Sequence, residues 1–164
     1  MAVISGARTL VGDGSRSNIR VRTERRGAHR FRLAQQPRRR SWRHADSVVG
    51  AILRADGSIL SWSYDNTLRL WSFAGRPLGV LEGHASIVWD AILRSDGSIL
   101  SWSHDKTLRL WSSEGRHLHV LTGHTDWING AIIGSDGSIL SWSCDNTLRL
   151  WSSEGSHLHL LEGH

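Results

Sequence analysis

A forty-residue unit runs three times through this 164-residue chain in strict register, and it narrows the architectures open to it. Gly57-Ser58-Ile59-Leu60-Ser61-Trp62-Ser63 returns unchanged at 97–103 and at 137–143. Thr67-Leu68-Arg69-Leu70-Trp71 returns at 107–111 and 147–151, and Gly83-His84 returns as Gly123-His124 and Gly163-His164. A period of this length belongs to solenoids, propellers and arrays. Each copy is then one supersecondary unit that buries its faces only against a neighbour.

The unit reads as four short strands. Val88 to Arg94 is apolar and β-branched, and Asp96-Gly97 signals a hairpin turn. Ile99 to Ser103 follows, then a turn at His104-Asp105-Lys106, then Leu108 to Trp111. Ser113-Glu114-Gly115 breaks that strand, and His117 to Leu121 is the last. Segments this short between Gly and Asp signals do not make helices. Side chains alternate along a strand, so Leu108 and Leu110 share one face while Trp111 takes the other. Leu100 and Trp102 share a face, with Ile99 opposite. Sheets apolar on both sides must be sandwiched between others. Radially stacked four-stranded sheets, the blades of a β-propeller, supply that.

The order Gly-His, strand, Asp-Gly, Ser-x-Ser-x-Asp, then Leu-Arg-Leu-Trp resembles the WD40 repeat over residues 44–164. Two departures recur or stand out. The Trp-Asp dipeptide of that family is Trp-Ser here, at Trp71-Ser72, Trp111-Ser112 and Trp151-Ser152, and the first copy has Arg43-His44 in place of Gly-His. The expected fold is all-β: three four-stranded antiparallel blades at 44–83, 84–123 and 124–164, an incomplete propeller of the bacterial style. Three blades do not close a ring, since propellers have about 4–8. The chain therefore reads as part of a longer array, or as one that completes itself by self-association.

Each copy carries His, Ser and Asp, which invites a hydrolase reading. The resemblance implies a structural one instead: a buried network of His44, Ser61, Asp65 and Trp71; of His84, Ser101, Asp105 and Trp111; and of His124, Ser141, Asp145 and Trp151. Buried Trp needs an acceptor, and a complete polar network fixes strand register. Ser63 shares a face with Ser61 and can compete for its role. Three equal copies argue against one active site, so no catalytic residue is assigned. His117 and His119, like His157 and His159, put two imidazoles on one strand face. The first copy has Pro77-Leu78-Gly79 there, so an exposed outer strand is preferred over a metal site. No cofactor or metal is assigned.

Residues 91–115 and 131–155 differ at four positions of twenty-five. Against that likeness, two places vary. After the Gly-His position the copies include Ser47 and Val49, Ile87 and Trp89, Trp127 and Asn129; before the turn Asp they read Tyr64, His104 and Cys144. In propellers of the resembled family both places reach one rim around the channel mouth, where partners dock. Those nine residues are the candidate protein-binding rim, and the two Trp among them, Trp89 and Trp127, are typical interface anchors. Neutral drift at exposed sites is the competing account.

Charge is split along the chain. Residues 1–43 hold twelve Arg against Asp13 and Glu24, a net of about +10. Residues 44–164 are acidic, with a net of about −5. The Arg-rich arm reads as disordered or degenerate; a nucleic-acid grip through 16–43, a targeting arm and misframed repeat sequence all fit it. Cys144 is the only cysteine, which suits a reducing, cytoplasmic setting. No stretch approaches the ~18 apolar residues of a membrane span, so no membrane contact is expected. The function expected from these features is a non-catalytic protein-interaction scaffold, with a nucleic-acid-associated module as the alternative.

Overall fold

The computed structural model describes residues 42–163. The proposals made on the Arg-rich arm fall outside them, apart from Trp42 and Arg43. Twelve strands follow in chain order, and no helix occurs among the described residues. Blade one is β1 (Val48–Leu53), β2 (Ile59–Ser63), β3 (Leu68–Trp71) and β4 (Pro77–Leu81). Blade two is β5 (Val88–Leu93), β6 (Ile99–Ser103), β7 (Leu108–Trp111) and β8 (His117–Leu121). Blade three is β9 (Ile128–Ile133), β10 (Ile139–Ser143), β11 (Leu148–Trp151) and β12 (His157–Leu161). Each is an antiparallel meander in chain order, the pattern of propeller blades. The first strands β1, β5 and β9 lie along the edge where the blades meet one another.

Three turns shape each blade. In blade two Gly97 N–H donates to Arg94 O and Arg94 N–H to Ser98 O, both at 2.9 Å, with Gly97 at φ 81°. This is a three-residue loop with a left-handed glycine, not a two-residue Asp-Gly turn. The Asp96 carboxylate caps it by accepting from Ser98 N–H at 2.9 Å. The next turn places Asn66, Lys106 and Asn146 at φ 66°, 71° and 64°. Asn tolerates that conformation, and Lys does so at a cost. Replacing Lys106 by the Asn of the sister blades is therefore expected to raise stability by about 0.5–1 kcal/mol. Urea unfolding checks this; a lower midpoint would show that the Lys106 Nζ bond to Thr125 O, at 2.8 Å, outweighs the strain.

Alternation gives every blade two unlike faces. One is a Leu–Trp face: Leu60, Trp62, Leu68, Leu70 and Leu81 in blade one. The other is a network face: Val88, Ala91, Ile99 and Trp111 in blade two. These two pack together as one buried cluster, with Ile52 and Leu93 at its margin. The same pairing recurs between blades two and three, where Leu100, Trp102, Leu108, Leu110 and Leu121 meet Ile128, Ala131, Ile139 and Trp151. The core is thus two interblade layers rather than one centre. Burying that much apolar surface is the main stabilising term.

Glycine at positions 50 and 130 has a packing reason. A Cβ at Gly50 or Gly130 would collide with the indole of Trp62 or Trp142 across the strand pair. Blade two instead has Asp90 opposite Trp102. Its carboxylate accepts from Ala91 N–H at 2.8 Å.

Candidate functional site

In blade two, His84 Nδ1 lies 2.8 Å from Asp105 Oδ2, and His84 Nε2 lies 2.8 Å from Ser101 Oγ. Trp111 Nε1–H donates to the same Ser101 Oγ at 2.9 Å. One proton order satisfies all four groups: Trp N–H to the Ser oxygen, Ser O–H to His Nε2, His Nδ1–H to Asp. Blade one repeats the chain through His44, Ser61, Asp65 and Trp71 at 2.8–2.9 Å. Blade three repeats it through His124, Ser141, Asp145 and Trp151 at 2.8–2.9 Å.

Each Asp does more than hold its His. Asp105 Oδ2 also accepts from Ala85 N–H at 2.9 Å, and Oδ1 accepts from Thr107 N–H at 2.9 Å and Thr107 Oγ1 at 2.7 Å. The threonine went unassigned from sequence. Its signal was the fixed Asp-x-Thr spacing, which lets a carboxylate bond the backbone two residues on. Ser63, Ser103 and Ser143 have a separate task. Ser103 Oγ donates to Ser86 O at 3.1 Å and accepts from Asp105 N–H at 2.9 Å, tying the turn to the chain entering the blade.

The Arg of Leu-Arg-Leu-Trp was also missed. It lies on the network face, and Arg109 presses so close to Gly83 that a Cβ there would fall 2.6 Å from its guanidinium. Arg149 sits the same way against Gly123. Where Arg43 replaces this glycine in blade one, Arg69 lies 3.6 Å from Asp65 Oδ2. Only there does an Arg–Asp pair of this kind occur among the described residues.

The electrostatics follow from burial and these bonds. Burial opposes ionisation of Asp65, but bonds from Thr67, the Ala45 N–H and His44 outweigh it and hold the carboxyl at about 2. Asp105 and Asp145 are held below the usual carboxylate range by the same balance. Burial, set against the Asp bond, pushes the His84 and His124 imidazoles below their ordinary value. A depressed imidazole binds a proton less well folded than unfolded. Its contribution is therefore complete above about pH 6.5 and declines as the pH falls below that. The depressed carboxylates act in the same direction lower down, contributing fully above about 3.8 and losing it toward about 2 for Asp65. Asp90, raised by burial, runs the other way. The urea midpoint is expected to fall between pH 7.5 and 5, and a midpoint that rises would contradict the neutral, buried imidazoles.

The His–Ser–Asp geometry matches that of a hydrolytic triad, but the hydroxyls do not face substrate. Ser101 and Ser141 are fully buried, and each spends its oxygen on a Trp N–H. A groove of about 360 Å³ between blades one and two lies at the opposite end, lined by Arg54, Asp56, Leu78 and Glu114 among others, and no network residue opens into it. His117 and His157 stand edge-on to Trp111 and Trp151 at 5.3 and 5.2 Å. No group of three potential metal ligands occurs among the described residues.

The rim residues gather at the end that carries the β2–β3, β6–β7 and β10–β11 turns. In each blade the turn residue donates its backbone N–H to the first variable residue: Tyr64 to Ser47 O, His104 to Ile87 O and Cys144 to Trp127 O, at 2.9–3.1 Å. The side chains differ in what they do. The Cys144 thiol donates to Asn129 Oδ1 at 3.3 Å. His104 is sandwiched between two indoles, 5.0 Å and 22° from Trp89, and 4.4 Å and 8° from Trp127. The stack crosses from blade two to blade three, yet Trp89 and Trp127 remain 42% and 50% exposed. Val49 and Tyr64 are exposed at the same end of blade one, and Ile87 is half-buried.

Residues 75–112 and 115–152 match the family model of the WD domain, G-beta repeat. No curated protein matches the chain. Among solved structures it is similar to the crystal structure of RRP9 WD40 repeats, with TM-score 0.66 and 28% identity over 74% of this chain and 40% of that one. It is similar also to the structure of U3-55K, with TM-score 0.66 and 28% identity over 74% of this chain and 41% of that one. The chain spans about two fifths of the length of those structures.

Proposed function

This chain is built of WD40 repeats, a fold whose general work is binding proteins, and from that premise we propose that it is a non-catalytic docking scaffold whose partner seats on the Trp89–His104–Trp127 rim. The single observation that carries the reading is the exposed aromatic stack. The apolar residues of the two interblade layers repeat from copy to copy and serve packing. At this rim the copies diverge, and two large indoles stand in water on a rigid backing. Stacking fixes their orientation before a partner arrives, which reduces the ordering cost of binding. A cytoplasmic setting suits the exposed Cys144 thiol.

The test is a double substitution. Trp89→Ala with Trp127→Ala is expected to weaken binding of a captured protein partner at least a hundredfold, since each anchor of this kind contributes about 2 kcal/mol or more. The far-ultraviolet spectrum should be unchanged, because neither indole belongs to an interblade layer. Binding that survives this pair but fails on changing His117 and His119 would move the site to the outer strands.

A further inference from the structure

Among the described residues, two sheet faces lack the cover that their copies enjoy. In blade three the Leu–Trp face is open: Trp142 is 37% exposed against 5% and 3% for Trp62 and Trp102, and Leu161 is 45% exposed against 2% and 1% for Leu81 and Leu121. In blade one the network face is open: Val48 is 55% exposed, whereas Val88 is fully buried. We propose that a second copy of this chain covers both, blade three of each docking on blade one of the other, so that two chains close one six-bladed ring.

The occupant is identified by contacts the chain already makes with itself. The open face of blade three carries Ile132, Leu140, Trp142, Leu148, Leu150 and Leu161, residue for residue the set that blades one and two present to their successors. The open face of blade one carries the same Val, Ala, Leu, Ile and Trp that blade two lays against blade one. Joining blade three to blade one therefore repeats the first interblade layer with no change of side chain.

A second, finer fit points the same way. The β7–β8 turn of blade two seats its glycine on the preceding blade: a Cβ at Gly115 would lie 2.9 Å from Leu81 Cδ1. Gly155 sits likewise over Leu121, at 2.8 Å. The matching glycine of blade one, Gly75, has nothing within 4 Å, and the matching leucine, Leu161, is bare. The knob and its seat are both present, in blade one and blade three of the same chain. An element that joins unlike faces makes a ring or an open filament. Propellers close at about 4–8 blades, so two copies of three close one and three copies overshoot.

The full 164-residue chain is measured by sedimentation and light scattering at tens of micromolar. The expected mass is about twice the chain's 18.3 kDa. Leu161→Asp and Leu53→Asp alter opposite open faces at positions exposed in the single chain, so each should leave the β-sheet spectrum intact and yield a monomer. Mixed together, the two variants retain one unaltered interface and should re-form a pair. A wild-type monomer overturns the proposal. So does a dimer that resists Leu53→Asp, which would mean a symmetric contact through one face only, and so does an open polymer.

Discussion

Replacing Asp105 by alanine is expected to lower the unfolding free energy by about 3 kcal/mol, read as a fall in the urea midpoint with an unchanged slope. The carboxylate accepts from four donors: His84 Nδ1–H, Ala85 N–H, Thr107 N–H and Thr107 Oγ1–H. Truncation leaves the His84 ring buried without its anchor, and two backbone N–H groups lose their acceptor. Unpaired buried groups carry their full desolvation cost, which exceeds the net worth of the bonds themselves. Asp105→Asn keeps acceptor capacity on one oxygen and should cost clearly less. A melt unchanged by Asp105→Ala would show that the network holds nothing.

The second large effect belongs to Trp111→Ala, expected to cost about 4 kcal/mol. Trp111 is 1% exposed and lies in the layer between blades one and two. Its loss opens a cavity there and also strips the N–H from Ser101 Oγ, so packing and network fail together. Trp111→Phe fills most of the space and loses only the hydrogen bond. It should recover more than half of the difference in the same urea series. Equal losses for both variants would place the energy in the bond and not in the layer.

Much of this was legible in the residues, for identifiable reasons. Strand ends followed from Gly and Asp at fixed spacing, and β2, β6 and β10 run as Ile-Leu-Ser-Trp-Ser in all three copies. The choice between Ser61 and Ser63 was harder, because both point to one side of the strand. Position along the strand separates them: Ser61 lies opposite Arg69, level with the ring of His44, while Ser63 lies at the turn and bonds backbone. The Arg109–Gly83 approach and the His104 sandwich depend on distances between segments or between blades. Periodicity within one copy carries no such information. Asp96-Gly97 marked the hairpin but not its loop length, since Asp-Gly serves both two- and three-residue hairpins, and only the φ of Gly97 and the bonds of Arg94 separate them.

The backbone bond from each turn residue to the start of its blade, Tyr64 to Ser47, His104 to Ile87 and Cys144 to Trp127, has a consequence for how such a chain changes over generations. It is made by main-chain atoms, so any side chain that accepts the turn leaves it intact. Phenol, imidazole and thiol have each been accommodated on the same frame. Mutation can therefore explore these three addresses one at a time, with the scaffold neither selecting for nor punishing the change. Duplication of a blade then yields a new address already folded, ready to diverge in what it recognises before anything about its architecture has to be relearned.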